Sequence, residues 1–431
     1  MRHVLVDLAP LRESVPYRRM WLGTSLSGVG TQLTGFAVLL QVYEVGGSTG
    51  DAALVGVFAV VPLVVFGLYG GAIVDAFDRR AVVVSTQVGI AVVAAVLTAA
   101  SWAGVVELWL LYALVAAQNA LFAINSPARS AIVPRLVSPR LLPAANALGS
   151  LSFGVALVLG PLAAGALVGT VGYTWAYGIE LVLLLGAIAS LVALPAMPPL
   201  AADGAAQTGR RRVGLGSVVE GLRYLGTRPN VRMTFLVDLC AMVLAMPRVL
   251  FPAIGLVLVG GGEVTAGLLV AGIAVGTILG GLFSGPLGRV RHQGRVVVGC
   301  VVAWGLAIAL FGLLVGLSPG PTPAGGASWV LWPAVAVLAI AGAADTVSSV
   351  FRSTILQAAT PDAMRGRLQG VFIVVVAGGP QLGTLLLGRA AVVTGEAVAA
   401  IAGGLACVAA VLAMTASQRG FLAYDARRPA P

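Results

Sequence analysis

The stretch GGAIVDAFDRRAVVVSTQVGIAVVAAVLTAASW, residues 70–102, sets the architecture of this chain. Its second part, from Ala81 to Trp102, carries no charge. One helical crossing of a bilayer takes about 20 apolar residues, and this run is long enough. Its first part gathers Asp75, Asp78, Arg79 and Arg80 just before the run. A charged knot against an unbroken apolar segment marks a membrane boundary, with the arginines on the cytoplasmic side.

The pattern repeats along the sequence. The chain has 431 residues, 59% hydrophobic and 10% charged, with a mean hydropathy of +1.00. A soluble protein carries about 25% charged residues. The composition excludes an ordinary cytosolic enzyme, a disordered chain and a nucleic-acid binder. A membrane barrel would show weakly alternating segments of about 10 residues, and these runs do not alternate. Apolar segments fall at about 20–43, 52–74, 82–102, 107–126, 144–169 and 173–194, then at about 233–258, 264–286, 296–317, 329–350, 369–391 and 396–416. The expected fold class is an all-α membrane protein with twelve transmembrane helices.

All 26 basic residues are arginine, and their positions orient the chain. One set of connections holds Arg18, Arg19, Arg79, Arg80, Arg129, Arg135, Arg140, Arg210, Arg211, Arg212, Arg295, Arg365 and Arg419; the opposite loops hold Glu44, Asp51, Glu107, Glu263 and Glu396. Only Arg248 and Arg389 depart from this split. Both termini are therefore expected in the cytoplasm of a multi-pass inner-membrane protein. The first apolar segment is too long for a signal-peptide core, so no cleaved leader is expected.

The sequence also reads as two related halves. ARSAIVPRLVSP (128–139) follows the fourth apolar segment and FRSTILQAATP (351–361) the tenth. Gly160-Pro161 and Gly379-Pro380 sit in the segments after them, and Arg79-Arg80 before the third segment matches Gly294-Arg295 before the ninth. The domains are expected at 1–194, an N-terminal six-helix half, and 233–431, a C-terminal six-helix half with a cytoplasmic tail. The linker between them, 195–232, holds an amphipathic helix over 214–228.

Three features point to a family. Gly71, Asp75, Asp78, Arg79 and Arg80 resemble the loop signature between the second and third spans of the major facilitator superfamily, with Ala76 in place of its usual base and Asp78 in place of its usual glycine. ALVLGPLAAG (156–165) resembles the antiporter signature of that superfamily's exporters through Gly160, Pro161 and Gly165, with Ala156 and Ala164 replacing glycines. EGLRYLGTRPNVR (220–232), PRVLFPA (247–253), GLLVAGIAVGTILGGLFSG (267–285) and LQAATPDAMRGRLQGVF (356–372) are similar to the enterobactin-exporter branch of bacterial secretion and efflux carriers. The resemblance implies two pseudo-symmetric six-helix halves, the major facilitator fold. It also implies proton-driven export of a siderophore, antibiotic or drug. The loop motif would act as a gate, although two arginines also serve simply to anchor a loop. Small residues beside Pro161 would let helices pack closely, with or without an antiport role.

Charges inside a bilayer cost about 2.5–3.5 kcal/mol on insertion scales, so buried polar residues are the candidates for function. By the same resemblance, the first, fourth, seventh and tenth spans line a cavity. Gln32, Asn119, Asn125 and Arg248 are then substrate-cavity candidates, Arg248 for an anionic or carbonyl-rich group. Asp238, Asp345 and Glu180 are proton-coupling candidates, because two carboxylates in one dry cavity do not both stay ionised readily. The plainer alternative is that each pairs with a nearby base such as Arg352 or Arg232. Trp21, Trp102, Trp109, Trp175, Trp329 and Trp332 fall near segment ends as interfacial anchors. Cys240, Cys300 and Cys407 lie inside apolar runs, and His3 and His292 are isolated, so neither a metal nor a cofactor is expected. No nucleophile–histidine–acid set exists and no phosphate-binding loop, so the chain is not expected to be an enzyme or to burn nucleotide. A monomer is expected, with protons, an amphipathic small molecule and lipid as its partners. An uptake carrier of the same fold and a non-transporting membrane sensor or enzyme are the rival readings.

Overall fold

The computed structural model describes residues 7–198, 220, 223–282, 290–323, 325–360 and 362–425. Regular structure in these residues is helical throughout. The long helices are α1 (Val15–Gly46), α2 (Thr49–Ala76), α3 (Arg79–Ala103), α4 (Leu108–Leu136), α5 (Leu142–Val171) and α6 (Tyr173–Val192), then α7 (Pro229–Leu244), α8 (Gly262–Leu282), α9 (Gln293–Gly316), α10 (Leu331–Ala359), α11 (Asp362–Thr394) and α12 (Glu396–Ser417). Ten helical spans among the described residues are long and apolar enough to cross a membrane. Of the expected linker helix over 214–228, residues 223–227 are helical, while Arg210, Arg211 and Arg212 lie outside the described residues.

The chain divides into two compact units, one of residues 1–38 and 61–214, the other of 39–60 and 215–431. In the first unit, α1 runs beside α5 in a regular register. The Tyr17 hydroxyl donates to the Ala145 carbonyl at 2.8 Å, the Trp21 indole to Leu148 at 3.3 Å, and the Ser25 hydroxyl to Ser152 at 3.0 Å. Gly28 then faces Ala156, and Gly160 lies against Gln32. Steps of three and four residues on both helices keep one face of each in contact, and both helices therefore run in the same direction. Met20, Val83, Ala128, Ile132 and Leu191 form a core beneath this seam.

The second unit is notched by glycine. A Cβ on Gly272 would meet the Val335 carbonyl at 3.0 Å, and one on Gly280 the Ala343 carbonyl at 2.8 Å, so α8 and α10 meet backbone to backbone. Gly312 brings α9 equally close to Ala397 on α12. Apolar side chains gain little by association inside lipid, and such small-residue seams supply van der Waals contact instead. Within the same unit, the Thr49 hydroxyl donates to Glu396 at 2.6 Å, and Gly56 abuts the Gln381 carbonyl.

The seventh segment is not one continuous helix. The α-helix stops at Leu244, Pro247–Leu250 forms a 3-10 turn, and Ile254–Leu258 forms a π turn. Pro247 lacks the amide hydrogen that would continue the ladder. The break frees the Ala245 carbonyl, which the buried Trp304 indole on α9 caps at 3.2 Å. Trp304 is the one tryptophan that the interfacial pattern does not cover. Trp102, Trp109, Trp175, Trp329 and Trp332 are exposed, whereas Trp21, expected as an anchor, is half-buried in the α1–α5 seam.

Candidate functional site

The densest buried charge lies in the second unit. Arg352 on α10 pairs through Nη1 with Asp238 on α7, and through Nη2 at 3.4 Å with Asp345, two turns earlier on its own helix. The Arg352 and Asp238 side chains are 9% and 8% exposed, and Asp345 is 33% exposed. Spacing of seven along α10 puts Asp345 and Arg352 on one face, and α7 brings Asp238 to the same guanidinium. One cation thus serves two carboxylates. Asp238 is the deeper of the two acids and Asp345 the more exposed. Both aspartates have the basic partner that their surroundings demand, and the pairing leaves a surplus negative charge on the more accessible one.

Glu180 on α6 is fully buried in the first unit. The Thr34 hydroxyl donates to its Oε2, while Oε1 has no hydrogen-bond partner among the described residues. No arginine pairs with Glu180 among the described residues. The remaining polar candidates are dispersed. Asn125 is spent on α3, donating to Thr86 at 2.7 Å and to the Val83 carbonyl at 3.3 Å. Asn119 donates to the Val115 carbonyl of its own helix at 2.9 Å. Gln32 packs on Gly160. Arg248 sits half-buried on the 3-10 turn after the break in α7, with no ion pair among the described residues.

The loop motif is built as a clamp on its own unit. Asp78 begins α3 by accepting from the Ala81 amide at 3.0 Å, which is the N-cap role of a short acidic side chain. Its second oxygen accepts from the Met197 amide at 2.6 Å. Arg79 donates to the Ala131 carbonyl near the end of α4, and Arg80 to the Val192 carbonyl at the end of α6. The aspartate that departs from the family pattern is therefore the residue that ties the loop down. Gly71 and Asp75 lie on α2, but their surroundings fall outside the described residues. Arg295 uses the same device in the second unit, donating to the Leu422 carbonyl just past α12. Val192 is one of the last carbonyls of α6, which that helix leaves open, and Arg80 satisfies it.

Asp78→Ala removes both bonds and should lower the stability of the first unit by about 1–2 kcal/mol. Asp78→Asn keeps one strong acceptor and should recover roughly half. Thermal unfolding in detergent measures both, and equal midpoints for parent and Asp78→Ala would remove the capping role.

In the antiporter-like motif, Gly160, Pro161 and Gly165 are all buried, and Gly160 lies against the Gln32–Leu33 backbone of α1. The cysteines are free, and no group of metal-binding side chains occurs among the described residues.

Comparison with known proteins agrees with this frame. A family model described as transmembrane secretion effector matches residues 6–425. The enterobactin exporter EntS of Shigella boydii serotype 18 is 28% identical over 389 residues, which is 89% of this chain and 87% of the relative. EntS of Escherichia coli O139:H28 matches equally well. Among solved structures, the POT family transporter PepTSo superposes with a TM-score of 0.71 at 14% identity, covering 95% of this chain and 99% of that one. The nucleoside transporter NupG gives 0.63 at 15% identity, covering 93% and 97%. At such identities these structures speak for the fold alone.

Proposed function

Given that the chain belongs to the transmembrane secretion effector family of major facilitator transporters, which are not enzymes, we propose that it exports an amphipathic small molecule across the cytoplasmic membrane in exchange for protons. The substrate class is a siderophore, antibiotic or drug. Twelve spans form two six-helix halves, residues 1–194 and 233–431, joined by the linker 195–232, with both termini in the cytoplasm. Alternating access proceeds by rocking of one half against the other. The paired use of Arg80 and Arg295 on helix-end carbonyls supports the repeat.

Pairing with Arg352 alone is the plainer, structural alternative; what supports proton coupling beyond it is that Asp238 and Asp345 share one cation, so one of the two negative charges is unmatched. A proton taken up by Asp345 leaves a neutral trio, and its release restores a net negative one. Asp345 is the exchanging acid because it is the more exposed of the two. Asp238 fixes the guanidinium. A charge change of this kind, in apolar surroundings, alters the cost of every conformation that buries the trio.

Everted vesicles with an acidic interior test the reading, with a panel of siderophores and cationic dyes as substrates. Gradient-driven uptake should occur with the parent protein and collapse in Asp345→Asn. Uptake retained in Asp345→Asn and Asp238→Asn alike would move the proton to Glu180. Transport down the opposite route would sink export.

A further inference from the structure

α1, α4 and α5 border an open cavity of about 500 Å³ in the first unit, lined by Met20, Trp21 and Thr24 of α1, Val133 of α4, and the exposed Asn146 and Phe153 of α5. Its size falls within the range of about 300–1,000 Å³ typical of small-molecule sites. The walls are mainly apolar and aromatic. The Thr24 hydroxyl, which lines it, is buried without a hydrogen-bond partner among the described residues, and so is Nε of Arg129, which lies outside the lining.

Arg129 lies one turn before Val133 on the same face of α4, and Ser27 lies one turn after Thr24 on the same face of α1. These strips meet, because Nη2 of Arg129 donates to the Ser27 hydroxyl at 3.3 Å and also to the Gln87 amide oxygen. The guanidinium therefore sits just beyond the Thr24–Val133 end of the cavity. Its hydrogen-bond partners are neutral, and no carboxylate pairs with it among the described residues.

The sequence counterpart makes the imbalance clear. Arg129 in ARS (128–130) and Arg352 in FRS (351–353) occupy matching places in the two halves. Arg352 is held by two carboxylates, whereas Arg129 meets Ser27 and Gln87. A charge in apolar surroundings calls for an opposite charge. The chain supplies one to Arg352 and none of the described residues supplies one to Arg129.

We propose that this cavity binds the anionic head of an amphipathic molecule, a carboxylate, phenolate or phosphate, with Arg129 as its counter-charge and Trp21 and Phe153 against its apolar part. This rests on the export reading and narrows its substrate class to anionic amphiphiles. A lipid headgroup and a free amphiphile share the chemistry.

The test uses the full chain in nanodiscs of neutral phosphatidylcholine, with dansyl-undecanoate and its methyl ester as probes, read by dansyl fluorescence. The acid should bind about tenfold or more tightly than the ester, as a charged hydrogen bond implies. Arg129→Gln should erase that difference while leaving ester binding intact, which also reports that the variant is folded. Arg129→Lys should restore part of it. Should Arg129→Gln fail to fold, Val133→Trp takes its place by filling the cavity, and it should block acid and ester together. Equal affinities for acid and ester, acid affinity unchanged in Arg129→Gln, or full binding by Val133→Trp overturns the proposal. With phosphatidylglycerol discs, loss of acid binding identifies a lipid headgroup as the occupant and unchanged binding a free amphiphile; either keeps the anion site. If vesicles transport substrate while the probes fail to discriminate, the inference falls and the export reading stands. If the probes discriminate but no gradient drives transport, the anion site stands and the export reading falls.

Discussion

Arg352→Met is expected to lose about 3–5 kcal/mol of stability, the size seen when one partner of a buried ion pair is removed. The loss arises because Asp238 and Asp345 would be left together without their cation, not because one bond is missing. The triple variant Arg352→Met, Asp238→Asn, Asp345→Asn removes all three charges. It should recover most of the stability, since well-packed neutral replacements of buried ion clusters are often tolerated. It should nonetheless fail to accumulate substrate against a gradient. Unfolding in mixed detergent micelles, extrapolated linearly, measures the first quantity, and vesicle uptake the second. A single variant within about 1 kcal/mol of the parent would mean that solvent already compensates the trio.

Gly160→Val is the second large effect. A Cβ at this position would lie 2.5 Å from Cβ of Gln32 and 2.9 Å from the Gln32 carbonyl carbon and the Leu33 nitrogen. Carbon atoms rest about 3.5–4.0 Å apart, and two of these neighbours are backbone, which cannot swing aside. The α1–α5 seam must open, and the register from Tyr17 to Gln32 must shift with it. Overpacking of this kind costs about 1–3 kcal/mol, occasionally more. Gly35→Ala on the facing helix α1 is the control, because nothing lies within 4 Å of its Cβ position. Loss of both expression and transport in Gly160→Val, with neither in Gly35→Ala, is the expected result. A Gly160→Val protein of parental stability would show that the seam has slack.

The helical membrane frame was legible because runs such as Ala81–Trp102 carry their own evidence: length, apolarity and the arginines at one end. The Asp345–Arg352 pair was half legible, since seven residues on one helix share a face. Arg352 and Arg232 were both in view as partners for the two aspartates, but that one guanidinium serves both was not readable, because a contact between α7 and α10 leaves no local trace. Asp78 looked like a lost glycine in a family pattern, yet an aspartate three residues before a free helix amide is a capping signal in its own right. The proline at 247 announced a disturbance in α7. Which carbonyl it would expose, and that Trp304 would answer it, depended on the packing of α9. Glu180 gained weight only when its burial appeared, with the Thr34 hydroxyl on one of its oxygens.

The bond from Trp304 to the Ala245 carbonyl has a hereditary side. A backbone oxygen has no side chain to mutate, so selection on it can act only through the donor. Pro247 and Trp304 should therefore drift as a pair through the family's history. Lineages that replace the proline and heal the helix release the indole from its task, and position 304 becomes free to vary. Lineages that keep the proline keep a donor at 304 as well. The signature of α7's broken geometry would then be found in the inherited spelling of α9.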